Sequence, residues 1–328
     1  MKRMTSEDKA LLSEAFRIYN WQFGKCLAPS MQCQNAPIQA HSIQNARVID
    51  LLEEKGHVMA LAPRFSPSGP DIRFRQIGRN EASTFPGFCN QHDTQIFEPL
   101  DKRPFDPTDQ EQLFLLTYRG VSYRGVSREL HATMDAVSKI QSLHVFRVEQ
   151  GIDPADQLTP IGMKAVEQML FSWTTWKYRD RHYDEALRTR DFCGITHEVL
   201  TLKNQRPALA VSSLISLDDM RPGDPDFPGV AVNVLPVTDD TTILIFSYAR
   251  PITGKVRSSS LDRILTASGD HQKYELSKLI IARTDNFIVA PTHFRAWSAD
   301  KVERLEHSAV ESVVAGRDPE EHQDLMLF

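Results

Sequence analysis

The sequence predicts an α+β protein in two parts: a small zinc-held module over residues 1–106, and a larger part over 107–328 in which helices precede a mainly antiparallel sheet. Three observations predict this. Three of the four cysteines, Cys26, Cys33 and Cys89, lie in the first third of a 328-residue chain, and His92 follows the last of them by three positions. Pro99, Pro104 and Pro107 cluster where the first part would end. The hydrophobic pattern then changes near residue 192, from helical periodicity to short apolar runs separated by turn residues.

Hydrophobic residues make up 41% and charged residues 25%, the balance of an ordinary globular chain. The net charge of −5 argues against a coat of nucleic acid or anionic lipid over the whole surface, while leaving room for a local basic groove. No apolar run approaches the roughly 20 residues that a membrane span needs. The start, MKRMTSEDKALL, turns polar and acidic at once, so a cytoplasmic protein without a membrane partner is expected.

Element by element, residues 5–20 read as an amphipathic helix capped by Thr5 or Ser6, with Leu11, Leu12, Ala15, Phe16 and Ile18 apolar. Pro29 and Ser30 between the first two cysteines suit a turn. PIQAH (37–41) alternates like a short strand, and Ser42 caps a helix running from about Ile43 to Lys55, closed by Gly56. Two strands follow, 57–63 and 71–78, joined by a turn at 66–70. A helix begins at Cys89 and is expected to stop before Pro99. Residues 108–150 and 160–190 read as helical, the second with Pro160 in its first turn. The tandem pentapeptide YRGVS-YRGVS (118–127) has a period that matches neither helix nor strand and reads as a local duplication. KYRDRHYDEALRTRD (177–191) mixes charges and reads as a solvent-facing helix with i,i+4 pairs. Strands are then expected at 196–202, 208–216, 229–237, 242–249 and 286–291, helices at 258–283 and 298–314, and a polar tail over 315–328.

Chemistry concentrates in the first part. Zinc takes four borderline or soft ligands in a tetrahedron, and two close ligand pairs on tight turns build such a site from distant segments. Cys26-x6-Cys33 and Cys89-x2-His92 are two such pairs, the second with knuckle spacing and Gly87 just before it to permit a sharp turn. A disulfide framework does not suit a chain of this size in the cytosol, where clustered thiols bind metal. Three unrelated cysteines are the alternative.

These residues also carry a family resemblance. The cysteine pair, the strand ending in A-H-S-I (40–43), the intervening strands and T-F-P-G-F-C-N-Q-H-D (84–93) at a helix start are together similar to zinc-stabilised HNH nucleases. The resemblance covers residues 20–100 and implies a ββα-metal fold of treble-clef type. It implies that His41, at the end of the first strand, is a general base that activates water against a phosphodiester. It places Asp93 as a helix ligand for a catalytic Mg²⁺ or Mn²⁺ beside the structural zinc, and Thr84 at the family's middle Asn. Ala40 stands where the family carries a metal-binding Asp or His, so His57 or Glu98 would have to join Asp93. AHSIQ and ASTFPGFCNQHD are similar, besides, to stretches of uncharacterised bacterial proteins, some of them linked to phage defence.

Other readings of the same residues stay open. His41 can be an alternative zinc ligand or a polar group holding the hairpin, and Asp93 can simply favour the helix dipole. Arg73, Arg75 and Arg79 alternate along one strand, where they either meet nucleic-acid phosphates or form a solvated face. Cys193 reads as a buried small hydrophobe. No Walker loop, dinucleotide glycine pattern, nucleophile elbow or kinase set appears after residue 107, and His197, His271 and His293 form no arrangement. The resemblance thus implies an HNH-like endonuclease acting on DNA or RNA. The alternative is a catalytically inactive zinc scaffold that binds nucleic acid or a protein partner. The remainder would regulate, sense or mediate assembly, including assembly into a homo-oligomer.

Overall fold

A computed structural model describes residues 24–66, 69–127, 129–134, 149, 151, 160–203, 206–217, 227–284, 286–315 and 324–328. The helix expected over 5–20, most of the helical stretch expected over 135–150 and most of the polar tail lie outside the described residues.

The fold is α+β, and its sheets are antiparallel throughout. Nine strands are described: β1 (Gln39–His41), β2 (His57–Ser66), β3 (Gly69–Gly78), β4 (Thr84–Pro86), β5 (Ile195–Lys203), β6 (Leu209–Ser216), β7 (Gly229–Pro236), β8 (Thr241–Ala249) and β9 (Phe287–Val289). β1 and β4 form a two-stranded ladder, and the other seven make one sheet in the order β3-β2-β9-β6-β7-β8-β5. The hairpin β2–β3 therefore belongs by sequence to the first hundred residues and by hydrogen bonding to the sheet of the remainder. Its link is the three-residue β9, where Val289 pairs with Met59 on one side and Leu209 on the other.

The central strands explain their own sequences. β7 is buried at every position, so its run GVAVNVLP shows little of the polar alternation of a one-sided strand. Ala231 and Leu235 face one core, and Val230, Val232 and Val234 face the other. The first core lies between the sheet and the Cys/His segment with its helices, α1 (Asn90–Lys102), α2 (Gln110–Gly120) and α3 (Pro160–Arg179). The second lies under α4 (Gly269–Arg283) and α5 (Ala299–Ala315). The end of the chain is docked there: Leu325 and Leu327 are fully buried, and the Leu327 carbonyl accepts a hydrogen bond from His293 Nε2 at 2.8 Å. No helix among the described residues is long and apolar enough to cross a membrane.

Several local expectations change in context. Pro99 does not stop α1, which continues to Lys102. Pro99 removes one ladder bond, the one its N–H would give to the Gln95 carbonyl, and its own carbonyl, in the last turn, accepts from Arg103 Nε and Gln112 Nε2, each at 3.2 Å. The helix expected over 43–55 is one π turn, Asn45–Ile49, running into Asp50–Leu52. The duplicated pentapeptide does have a use. α2 passes into a π-helical stretch, Val121–Ser127, whose i→i+5 bonding brings residues five apart onto one side. In an α-helix they would stand about 140° apart. Tyr118 lies tilted against Phe88 at 5.9 Å, and Tyr123 meets Phe85 edge-on at 5.0 Å, so both repeats contact the same aromatic cluster.

Residues 177–191 are not solvent-facing all round, because Tyr178, Arg179, Tyr183 and Asp184 are buried. Arg179 donates to Asp184 Oδ2 at 3.1 Å and to the Leu27 carbonyl at 2.8 Å, while Tyr118 Oη–H donates to Asp184 Oδ1 at 2.8 Å. Pairing through Nη2 offsets the cost of enclosing this charge, while Arg179 Nε and Nη1 find no hydrogen-bond partner among the described residues. On α3, Val166, Met169, Leu170 and Trp173 recur at i, i+3, i+4 and i+7 as an exposed apolar stripe. Cys193 is exposed in the loop before β5, not buried, and its N–H is held by Asp191 Oδ1 at 3.0 Å.

Candidate metal centre

The loop from Cys26 to Cys33 folds back through a single 3₁₀ turn, Pro29–Met31, in which Ser30 and Met31 take positive φ of 72° and 51°. Those two left-handed residues absorb the extra length of the x6 spacing. Arg179 holds the loop at the Leu27 carbonyl, the Leu27 N–H donates to the Gly87 carbonyl at 2.7 Å, and Trp176 Nε1–H donates to Met31 Sδ at 3.1 Å. Gly87 is needed for space: a Cβ there would run into the ring of Phe85. Its backbone has no positive φ, so the turn chemistry expected of it does not apply. Cys89 is the N-cap of α1, and His92 lies in the first turn.

These elements bring the four predicted ligands together. The ligand atoms of Cys26, Cys33, Cys89 and His92 all lie within 4.8 Å of one another. Three edges are 3.4 Å (Cys26 Sγ to His92 Nδ1), 3.3 Å (Cys89 Sγ to His92 Nδ1) and 3.9 Å (Cys33 Sγ to Cys89 Sγ). A tetrahedral zinc with bonds of about 2.3 Å to sulfur and about 2.0–2.1 Å to nitrogen needs edges of about 3.5–3.8 Å. The cluster can therefore hold a metal such as zinc, with every position of the shell filled by protein. No other group of three or more such side chains gathers among the described residues.

The thiols are unequal. Burial pushes Cys26 up to about 11. Burial also acts upward on Cys89, but hydrogen bonds from the His92 backbone and from the neighbouring Cys26, His92 and Cys33 side chains bring it down to about 7. The Cys89 N–H also donates to Cys26 Sγ at 3.2 Å, which favours a thiolate there once a cation is present.

His41 ends β1 and stands opposite Thr84 of β4. Its Nδ1–H donates to the Ala82 carbonyl at 2.9 Å, and its Nε2 accepts from Asn45 Nδ2 at 3.2 Å. Asn45 is itself clamped, its Oδ1 receiving Arg79 Nε at 3.0 Å and Arg79 Nη2 at 2.7 Å. Burial lowers the imidazole below the usual histidine range against the pull of the Ala82 bond, and Arg119 and Arg79 lower it further. His41 is thus outside the metal cluster and is held as a neutral ring.

Asp93 follows His92 into α1, where its N–H caps the Cys89 carbonyl at 2.9 Å. Burial raises its carboxyl, Arg119 opposes this and Asp101 adds to it. Thr84 spends its hydroxyl on the Glu81 carbonyl. His57 Nδ1 meets the Lys55 carbonyl in a turn, and Glu98 pairs with Lys102, so neither approaches Asp93 through a described contact. The three arginines have different surroundings. Arg73 bonds Glu306 on α5, Arg79 bonds Asn45 and Asp50, and Arg75 is exposed on β3.

Two neighbours escaped the sequence reading. Asn45 lies four residues beyond His41, but His41 ends a strand and the turn begins only at Asn45, so no helical spacing pointed to the contact. Arg119, within the duplicated pentapeptide, carried no signal, because its place depends on α2 packing across α1. Compared with known protein families, curated proteins and solved structures, the chain matches none.

Proposed function

We propose that residues 26–102 form an HNH-like, zinc-stabilised ββα module that acts on nucleic-acid phosphodiesters, with His41 as general base. The observation that carries the reading is the pairing of β1 with β4 across the whole β2–β3 hairpin. It yields a strand–strand–helix unit beside a Cys/His knuckle, with His41 at a strand end and Asp93 in the first helical turn. Zinc in this reading is structural: its four protein ligands leave no open position for a reacting water.

In the reaction, water attacks phosphorus while His41 Nε2 takes its proton, the bond from phosphorus to the leaving sugar oxygen breaks, and that oxygen takes up a proton from solvent. A neutral imidazole with its Nδ1–H fixed on a carbonyl has its lone pair at Nε2, as that step requires. The Asn45 amide now occupies that lone pair, so the attacking water has to displace or share it. The test is nicking of supercoiled plasmid and cleavage of single-stranded RNA by the zinc-loaded protein, with and without Mg²⁺ or Mn²⁺. His41→Ala is expected to lose about 100-fold or more. Equal cleavage by both proteins, or none under any condition, counts against the reading.

The engagement of both His41 nitrogens favours one second reading, a catalytically inactive scaffold that binds DNA, RNA or a protein partner. In that case fluorescence anisotropy would register nucleic-acid binding that His41→Ala leaves unchanged, with no cleavage in either protein.

A further inference from the structure

An HNH-like site implies a divalent ion beside Asp93, and the side chains around Asp93 test whether they suit one. Along α1, Asp93, Phe97 and Asp101 recur at i, i+4 and i+8, a single stripe of the helix. Arg119, at the end of α2, lies across that stripe. Its guanidinium sits 4.0 Å above the Phe97 ring, and Nη1 and Nη2 grip Asp101 Oδ1 and Oδ2 at 3.2 and 2.9 Å. Only 5% of the Arg119 side chain is exposed. Gln44 Nε2 donates to Asp101 Oδ1 at 3.0 Å and completes the clamp. Asp93 Oδ1 and Arg119 Nε are both enclosed and find no hydrogen-bond partner among the described residues. The charge of Arg119 is felt at Asp93 and at His41 alike.

This donor set does not suit Mg²⁺ or Mn²⁺. Such ions ask for a near-octahedral shell of oxygens and keep several waters. Asp93 brings an enclosed oxygen, and His41 has committed Nδ1 to Ala82 and Nε2 to Asn45. The candidates that would have completed the shell, His57 and Glu98, are held elsewhere. The Arg119 charge, held on Phe97 and Asp101 of the same helix stripe, also acts against a further cation at Asp93.

We propose that Arg119 is the resident cation of the site beside His41. It takes the part in the charge balance that a divalent ion takes in an HNH nuclease, so the module carries a single metal, in the cysteine site. A nucleic-acid phosphate brought to His41 then experiences the field of Arg119 and Arg79 with no Mg²⁺ or Mn²⁺. The identity of that substrate rests on the function proposed above, whereas the metal count does not.

The experiment uses the full, zinc-loaded chain with Mn²⁺ alone as probe, followed by electron paramagnetic resonance. The wild type is expected to bind no Mn²⁺ at millimolar concentration. Arg119→Gln is expected to gain at least tenfold in Mn²⁺ affinity, and the added change Asp93→Asn to remove that gain. Stoichiometric Mn²⁺ on the wild type, abolished by Asp93→Asn with zinc retained, overturns the proposal. So does a folded Arg119→Gln variant with no gain. Should Arg119→Gln fail to fold, the wild type and Asp93→Asn decide alone. Absence of nicking bears on the nuclease reading only and leaves this binding result intact.

Discussion

His197 offers the sharpest physical prediction away from the metal centre. It sits on β5 opposite Ser247 of β8, with Nδ1 2.7 Å from the Ser247 hydroxyl. Its Nε2 is enclosed and has no partner among the described residues. Burial alone lowers its pKa from 6.5 to about 4. As pH falls through the unfolded value, the unfolded chain takes up a proton that the folded chain refuses until about 4. Stability from this group is therefore complete above the unfolded value and drains away as pH falls toward the folded one. Between about pH 7.5 and about pH 4.5 the loss amounts to about 2 kcal/mol. The perturbation is His197→Gln, which keeps a hydrogen-bonding group for Ser247 but cannot titrate. Urea denaturation of both proteins at the two pH values gives the answer as a difference of differences, so acid release of zinc, common to both, subtracts out. The gap between variant and wild type should shift by about 2 kcal/mol in the variant's favour at low pH. An unchanged gap, or a titration midpoint for the His197 ring near 6.5 by NMR, would refute the reasoning.

Two further outcomes are expected. Elemental analysis should find one zinc per chain, and Cys26→Ser should release it and cost at least about 3 kcal/mol of stability, because the knuckle loop ties the module to α3. A zinc-replete, equally stable variant would dissociate those ligands from the site. At Gly120 an added Cβ would lie 2.9 Å from Ser212 Oγ, whose hydroxyl has no partner among the described residues. The double change Gly120→Ala/Ser212→Ala should therefore be more stable than Gly120→Ala alone by about 1–2 kcal/mol in urea denaturation. A single variant as stable as the double would show that Ser212 yields without cost.

Legibility followed the range of the interactions. The Cys/His cluster was readable because metal chemistry restricts residue type and local spacing: Cys89-x2-His92 met both conditions, while Cys26-x6-Cys33 met the first and needed two left-handed residues to take up its extra length. The strands after residue 192 were readable from short apolar runs, and β5 to β8 fall within a residue or two of the expected spans. The fate of KYRDRHYDEALRTRD was not readable. Its Arg179 and Asp184 look like surface charges until a tyrosine from α2 and a carbonyl from the knuckle loop enclose them.

The amino-acid sequence by itself determined the two Cys/His pairs that could hold a metal, the α+β class and the position of His41 at a strand end, since each element follows from neighbours within a few residues. Only the tertiary structure decided that β2 and β3 join the large sheet through β9, that the duplicated pentapeptide passes from α2 into a π-helical stretch, and that Arg119 lies across Phe97 and Asp101. Those features depend on which distant surfaces meet. Packing between segments far apart in the chain leaves no periodic trace in any one of them.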